Sequence, residues 1–391
     1  MHDTTPARPA ALDRARSIAG IIASEANAVE RETRITRPIH EALVGTGLYW
    51  IPLPRDLGGE DADVATCIEV VEEIARADGS TGWTYFVNLA TIGGLIPFMR
   101  DEALALLFAG ERPIMAGQLV ATGRSEKAEG GYRCSGRHNF ASGSAFANWI
   151  CATQVVHDGD APVMNGAFPQ STIALLPSGN VDFQGNWDVM GLAGTASYDY
   201  AVHEQIVPDA QVMDGGILAP DAEPLRGNAM LRMGALAMAY SMHTACALGI
   251  AKRAMEEVAA LAVKKTRGGY AGTIAQDDVF LNAFAQADAE FHAARGRVID
   301  VFSAMEAKVA DGGRLSPADH AIMHQTATWA HGKAGEVAAF CFRWAGTTPV
   351  RNPNVLGRCM RDILVANSHM LFDARTLTEA GPALIERWTA S

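Results

Sequence analysis

The hydrophobic period of this chain changes twice. Between about residues 8 and 109 apolar positions recur every three to four residues, as at Ile18, Ile22, Ala26 and Val29 and again at Ile68, Val71, Ile74 and Ala75, the repeat of a helix with a buried face. Pro52, Pro54 and Gly58-Gly59 interrupt the chain before the second long helix, and Asp78-Gly79 ends it. Between about 113 and 212 short β-like runs such as 149–156 and 171–176 take over, punctuated by Gly, Pro, Asn and Asp. From about 225 the helical repeat returns in long Ala-rich stretches at 233–264, 277–310, 317–344 and 354–380. Helices, a β insert and helices again predict an α+β fold, mostly α, in three parts: an N-terminal helical domain over 1–112, a middle β domain over 113–215 and a C-terminal helical domain over 216–391.

Composition limits what such a body can meet. Of 391 residues 49% are hydrophobic and 19% charged, enough for a large core and against a disordered chain. Lys and Arg number 32 against 44 Asp and Glu, a net charge of −12 that disfavours nucleic acid or an anionic membrane as the main partner. The stretch Met233 to Ala251 comes nearest to a membrane span, but its Ala and Gly, with Tyr240, Ser241, His243 and Thr244 among them, suit close helix packing better than lipid. No apolar segment follows a basic one at the N-terminus, so a cytoplasmic location is the default expectation. Cys67, Cys134, Cys151, Cys246, Cys341 and Cys359 are scattered without Cys-x-x-Cys spacing and read as reduced thiols.

Common catalytic signatures are missing. G-x-S-x-G, the P-loop and G-x-G-x-x-G do not occur, which removes the main support for a nucleophile-elbow hydrolase, a P-loop NTPase or an ordinary Rossmann dehydrogenase. His320 and His324 share a helix face at i, i+4, but Ala321 stands where a zincin carries Glu, and no metal is expected.

Four segments in order carry a family resemblance over nearly the whole chain. The first is Ile51-Pro-Leu-Pro-Arg-Asp-Leu-Gly-Gly59, then Val70-Val-Glu-Glu-Ile-Ala-Arg76 and Gly79-Ser-Thr-Gly-Trp83. The second is Ser135-Gly-Arg-His-Asn-Phe-Ala-Ser-Gly-Ser-Ala-Phe-Ala-Asn-Trp149, the third Gly185-Asn-Trp-Asp-Val-Met-Gly-Leu-Ala-Gly-Thr-Ala-Ser-Tyr-Asp-Tyr200 with Val207-Pro208. The fourth is Trp344-Ala-Gly-Thr-Thr-Pro-Val350 leading through Arg361-Asp362 to Asn367-Ser-His369. Together they resemble the acyl-CoA dehydrogenase superfamily, and more closely its two-component flavin-dependent monooxygenases, the oxygenase components of 4-hydroxyphenylacetate, indole and phenol hydroxylase type.

The resemblance implies a middle β-barrel or sandwich and a C-terminal four-helix bundle. It also implies a reaction: reduced flavin and O2 form a flavin C4a-hydroperoxide that hydroxylates a small electron-rich phenolic or indolic substrate. Ser142 would hold flavin N5, with Ser144 close enough to compete for that role, while Phe140, Trp149, Thr195 and Ser197 would line the flavin. A hydroxyl both donates and accepts, which suits holding the N5 proton. Trp83 and Asn88 would face the substrate, Asn88 standing where relatives often carry His, and Tyr85, Phe86 and Trp187 are further aromatic candidates. His369, in place of the dehydrogenases' Glu, would be the base, with a pKa near neutrality. Asp362 would anchor the helix.

The family's FAD-holding segments are altered to Arg267-Gly-Gly-Tyr-Ala-Gly-Thr, with Phe280 near an expected Gln, and to Phe342-Arg-Trp-Ala-Gly346. That favours reduced FMN slightly over reduced FAD, with Arg267 on a flavin phosphate. No NAD(P)H fingerprint is present, so a separate NAD(P)H:flavin reductase is the expected partner, and relatives suggest a homotetramer. The alternatives are an N- or S-oxygenating monooxygenase of the same fold and an acyl-CoA dehydrogenase or oxidase, the latter without its carboxylate base. A catalytically silent scaffold would lack the retained site residues.

Overall fold

The computed structural model describes residues 8–389 apart from 270 and 374. Five helices come first: α1 (Arg8–Glu32), α2 (Arg37–Gly45), α3 (Val64–Ala77), α4 (Gly79–Leu95) and α5 (Asp101–Leu107). Then come β1 (Met115–Ala128), β2 (Gly131–Ala141), β3 (Trp149–Asp158), β4 (Ala161–Pro162), β5 (Met164–Asn165), β6 (Phe168–Pro169), β7 (Ser171–Pro177), β8 (Asp182–Phe183), β9 (Tyr198–Pro208) and β10 (Val212–Asp214). Helices resume with α6 (Ala229–Arg232), α7 (Ala235–Ala262), α8 (Asp278–Ala310), α9 (Pro317–Ala345), α10 (Val355–Ala366) and α11 (Arg375–Thr389).

Helix starts follow side-chain caps. Asp63, Asp277, Ser316 and Asn354 each accept a backbone N–H of the first turn of α3, α8, α9 and α10, which satisfies a donor the helix itself leaves free. Asp78 caps α4 through Thr81, so Gly79-Ser-Thr-Gly-Trp83 is the first turn of a helix that runs to Leu95. Gly82 is required there, since a Cβ would fall 2.4 Å from that of Ala75 on α3.

The main sheet runs β10-β7-β3-β1-β2-β9-β8, antiparallel except for the central β1 and β3. Helix α7 is buried along most of its length among α3, α4, α9 and α10. That explains the polar-interrupted apolar stretch of the sequence: small residues let four neighbours approach. Among the described residues no helix is long and apolar enough to cross a membrane. The two glutamates of the VVEEIAR stretch are buried, and Glu72 ties α3 to α7 and α8 through Lys252 (3.0 Å) and Arg295 (2.6 Å).

One expectation fails instructively. The periodicity predicts a helix over 354–380, yet α10 stops at Ala366 and α11 begins only at Arg375. Ser368 Oγ turns back to the Leu364 carbonyl (2.9 Å), and His369 takes an extended conformation whose Nδ1 accepts the Leu371 N–H (3.3 Å). His369 therefore sits in the break between two helices, beyond the end of the helix that carries Asp362.

Candidate active site

Two short segments form one wall. The β2–β3 turn (142–148) and the loop before β9 (184–197) are joined by Gly143 N–H on the Thr195 carbonyl (2.8 Å) and Ser144 Oγ on the Ala196 carbonyl (2.9 Å). Leu192 and Ala196 both have positive φ, 51° and 45°, uncommon for side-chain-bearing residues. Three outside bonds hold them there: the buried Asp362 accepts the Leu192 N–H (2.6 Å), Ser80 Oγ the Gly194 N–H (3.1 Å) and the Thr33 carbonyl the Ala196 N–H (3.0 Å). Asp362 thus anchors the loop as well as α10. Its burial and the neighbouring Asp78 push its pKa up to about 7, against the pull of the Leu192 N–H and Arg358.

On this wall Ser142, Ser197 and Thr195 form a directed chain. Thr195 Oγ1 donates to the Leu192 carbonyl (2.8 Å), so it must accept from Ser197 Oγ (2.8 Å), which in turn accepts from Ser142 Oγ (2.6 Å). Trp83 Nε1 donates to Ser142 Oγ (3.3 Å). Ser142 has then used its proton and one lone pair, and its second lone pair remains. Thr195 and Ser197 meet through a 3-10 turn between two left-handed residues. Ser144, the competing serine, is tied to a backbone carbonyl.

Trp83 joins this wall to a second cluster. Its ring lies 5.0 Å from Phe86, 4.8 Å from His243 and 6.0 Å from His369, and His243 and His369 are 4.5 Å apart, centre to centre. Phe372 closes the group, stacked at 3.7 Å on His331, whose Nδ1 bonds Asn367 Oδ1 (3.1 Å). Burial lowers the pKa of His369 and of His331 to about 4 and that of His243 well below the usual 6.5. The near-neutral pKa expected of His369 is therefore not what this apolar setting gives. Its Nδ1 accepts the Leu371 N–H, so the neutral ring carries its proton on Nε2 and offers a donor there. His243 and His331, on α7 and α9, escaped sequence reasoning because a single histidine in an Ala-rich helix looks like a core residue; only the crossing of the two helices brings them to His369.

Other predicted residues lie elsewhere. The Asn88 amide bonds the Met115 carbonyl (2.8 Å) and backs the Gly143 turn, where a Cβ would fall 2.8 Å from Nδ2. Tyr85 is buried on the Leu48 carbonyl (2.9 Å). Trp149 stands half-buried at the start of β3. Phe140, 60% exposed at a φ of 59°, meets the Trp187 edge 6.1 Å away beside the hydroxyl chain. Arg267 packs over Trp344 and donates to the Arg343 and Trp344 carbonyls at the end of α9. Phe280 is buried against Phe284 and Trp344. His324, of the i, i+4 pair, bonds the Leu371 carbonyl (2.7 Å) and stacks on Tyr240. Among the described residues no group of three His, Cys, Asp or Glu can hold a metal ion.

A row of neutral hydroxyls with a free lone pair, beside an exposed aromatic ring, fits the polar edge and apolar face of a flavin ring. Residues 10–103 match the family model of the acyl-CoA dehydrogenase N-terminal domain, and residues 241–374 that of the acyl-CoA dehydrogenase C-terminal domain. The chain is 26% identical over 354 residues to the indole-3-acetate monooxygenase of Pseudomonas putida, covering 90% of this chain and 87% of that protein. Other curated relatives bear the names oxygenase component or oxygenase subunit. XiaF from a Streptomyces species, solved in complex with FADH2 and glycerol, superposes with a TM-score of 0.90 at 19% identity over 97% of this chain and 96% of that one. TdsC from Paenibacillus sp. A11-2, solved with FMN and indole, gives 0.81 at 19% identity over 96% and 97%. The chain belongs to the acyl-CoA dehydrogenase superfamily and has its fold. Within that superfamily it stands with the flavin-dependent monooxygenases.

Proposed function

We infer that this protein is an oxygenase component that uses reduced flavin and O2 to hydroxylate a small electron-rich aromatic ring. The carrying observation is Trp83, whose Nε1 bonds the hydroxyl chain while its ring edge packs on the imidazole cluster. Ser142, Ser197, Thr195 and Phe140 would hold the flavin, and the guest would sit by Trp83, Phe86, His243 and His369. Bound reduced flavin supplies the two electrons with which O2 gives one atom to the ring and the other to water.

The chain's residues do the rest. Ser142 presents its remaining lone pair to a flavin N5–H, and the chain ending on the Leu192 carbonyl polarises it in that sense. Trp83, Phe86 and Phe372 exclude water from the reacting centre. His369 acts as a hydrogen-bond donor through Nε2, because a ring with a pKa near 4 is a poor acceptor for a phenol proton. The acyl-CoA dehydrogenase reading lacks its base, because His369 stands where that family's Glu would.

FMNH2 is favoured over FADH2, since Phe280 is enclosed by aromatic rings and Arg267 is engaged at the end of α9. A separate NAD(P)H:flavin reductase supplies it, and the chain assembles as a homotetramer through exposed apolar helix positions such as Val279 and Ile385. The test is 18O2 supplied to protein with chemically reduced FMN, or FAD, and a panel of uncharged phenols and indoles. One labelled oxygen in the aromatic product supports the reading. Unlabelled products throughout, with bleaching of bound oxidised flavin by an acyl-CoA, would replace it with dehydrogenation.

A further inference from the structure

We propose that Asp78 is a positioning residue for the loop from Gly191 to Ser197, acting through Asp362, with which it shares one proton across a small buried cavity. The part played by the loop rests on the flavin reading above; the shared proton does not.

The two carboxyls come from different elements, Asp78 from the start of α4 and Asp362 from α10, and are 4% and 3% exposed. Each gives one oxygen to the backbone. Asp78 Oδ2 accepts the Thr81 N–H and hydroxyl, both at 2.8 Å, and Asp362 Oδ1 accepts the Leu192 N–H at 2.6 Å. Both residues line a cavity of about 30 Å³, with room for about two water molecules. Asp78 Oδ1 is enclosed without a hydrogen bond, 3.7 Å from Arg358 Nε. Asp362 Oδ2 lies against Gly79, another lining residue, where a Cβ would fall 2.6 Å from it. Arg253 lines the cavity too, and its Nε is likewise enclosed without a partner.

The charges here do not balance. Arg253 is paired with Glu257 (2.8 Å), while Arg358 (3.2 Å) and Arg361 are both paired with Glu30. Adding Asp78 and Asp362 makes four carboxyls against three guanidiniums. The other neighbours supply no charge: α3 presents Ala75 and Ala77, and burial keeps the Cys246 and Cys359 thiols neutral. Two carboxyls facing one buried cavity cannot both stay ionised, and one retained proton closes the balance. A protonated Asp362 keeps Oδ1 on Leu192 and donates from Oδ2 toward Asp78 Oδ1 through a water that the cavity can hold, with Arg253 Nε as that water's further donor. The proton so ties the loop that presents Thr195 and Ser197 to the helix that carries Trp83. Asp362, raised to about 7, binds it more tightly folded than unfolded, so the hold is present at low pH and is lost as pH rises through 7.

The test is infrared spectroscopy of the full chain, paired with anaerobic titration by reduced FMN, at about pH 6 and about pH 9 in wild type, Asp78→Asn and Asp362→Asn. Asn keeps the backbone acceptor at either position. At the lower pH the wild type is expected to show the carbonyl stretch of one protonated carboxyl more than either variant, and at the higher pH that difference disappears; Glu306 contributes to all three alike and cancels. The affinity for reduced FMN falls between the two pH values by about tenfold more in wild type than in Asp78→Asn, ionisation of the flavin itself being common to both. No extra band, or a band that survives in Asp78→Asn, overturns the shared proton. The band together with an equal pH dependence of affinity in the two proteins overturns the positioning role. No binding of reduced FMN by the wild type overturns the flavin reading of the loop and the positioning role with it, and leaves the band unchanged, so the two failures are told apart.

Discussion

Ser142 owes its assignment to the groups around it. Its proton goes toward Ser197, one lone pair receives Trp83, and the other is free because Thr195 sets the direction of the chain. Ser142→Ala should therefore lower the yield of product per reduced flavin oxidised by roughly tenfold, with hydrogen peroxide making up the difference. Phe140 gives a second test at this scale. A bulky residue at a φ of 59° stores on the order of 1–3 kcal/mol, and its ring is exposed beside the hydroxyls. Phe140→Gly is expected to hold or raise the melting temperature while weakening reduced-flavin binding severalfold, as read by anaerobic titration. The buried imidazoles make a pH prediction. His331 has its folded pKa depressed to about 4 from 6.5, so its contribution is present above 6.5 and lost as pH falls toward 4. That contribution is on the order of 3 kcal/mol. Asp362 and Glu306, both raised to about 7, act in the opposite sense, losing stability as pH rises toward 7. Denaturation of wild type against His331→Phe between pH 7 and 4 isolates the histidine: the wild type should lose the more stability.

At the level of elements, the loop from Gly191 to Ser197 has two left-handed residues and is held from outside by α1, α4 and α10. Asp362→Ala would leave the Leu192 N–H buried without a partner, costing about 1–3 kcal/mol and weakening flavin binding together with stability. Gly82→Ala presses α4 onto Ala75 and should destabilise by about 1–3 kcal/mol with the same loss of Trp83 geometry. These contacts also explain what the sequence could and could not reveal. The alternation of helical and β patterning is local and was readable. The family resemblance led to Ser142, Thr195, Ser197 and Trp83, which do come together. The break before His369 was hidden because its apolar spacing continues the helix, and the side-chain bonds of Ser368 to Leu364 and of His369 to Leu371 mark the stop. His243 was hidden for a related reason: which face of α7 meets Trp83 depends on how α4 and α7 cross, and neither helix's sequence encodes that crossing alone.

For the molecule as a whole, three bodies of chain meet at one tryptophan. The β region supplies the hydroxyls, the N-terminal helices supply Trp83, and the C-terminal part of the chain supplies the three imidazoles, two on helices and His369 in the break between two. Such a site depends on all three packing together through α7, so loss of that packing should cost flavin and aromatic binding at once. The most direct test of the account is single-turnover mixing of the protein, reduced FMN and a neutral phenol with oxygenated buffer, measuring hydroxylated product against hydrogen peroxide in wild type, Ser142→Ala and Thr195→Val. The account predicts mostly product in the wild type, mostly peroxide in Ser142→Ala and an intermediate ratio in Thr195→Val, where the chain loses its direction but Ser142 keeps its hydroxyl. The same product-to-peroxide ratio in all three proteins would contradict it.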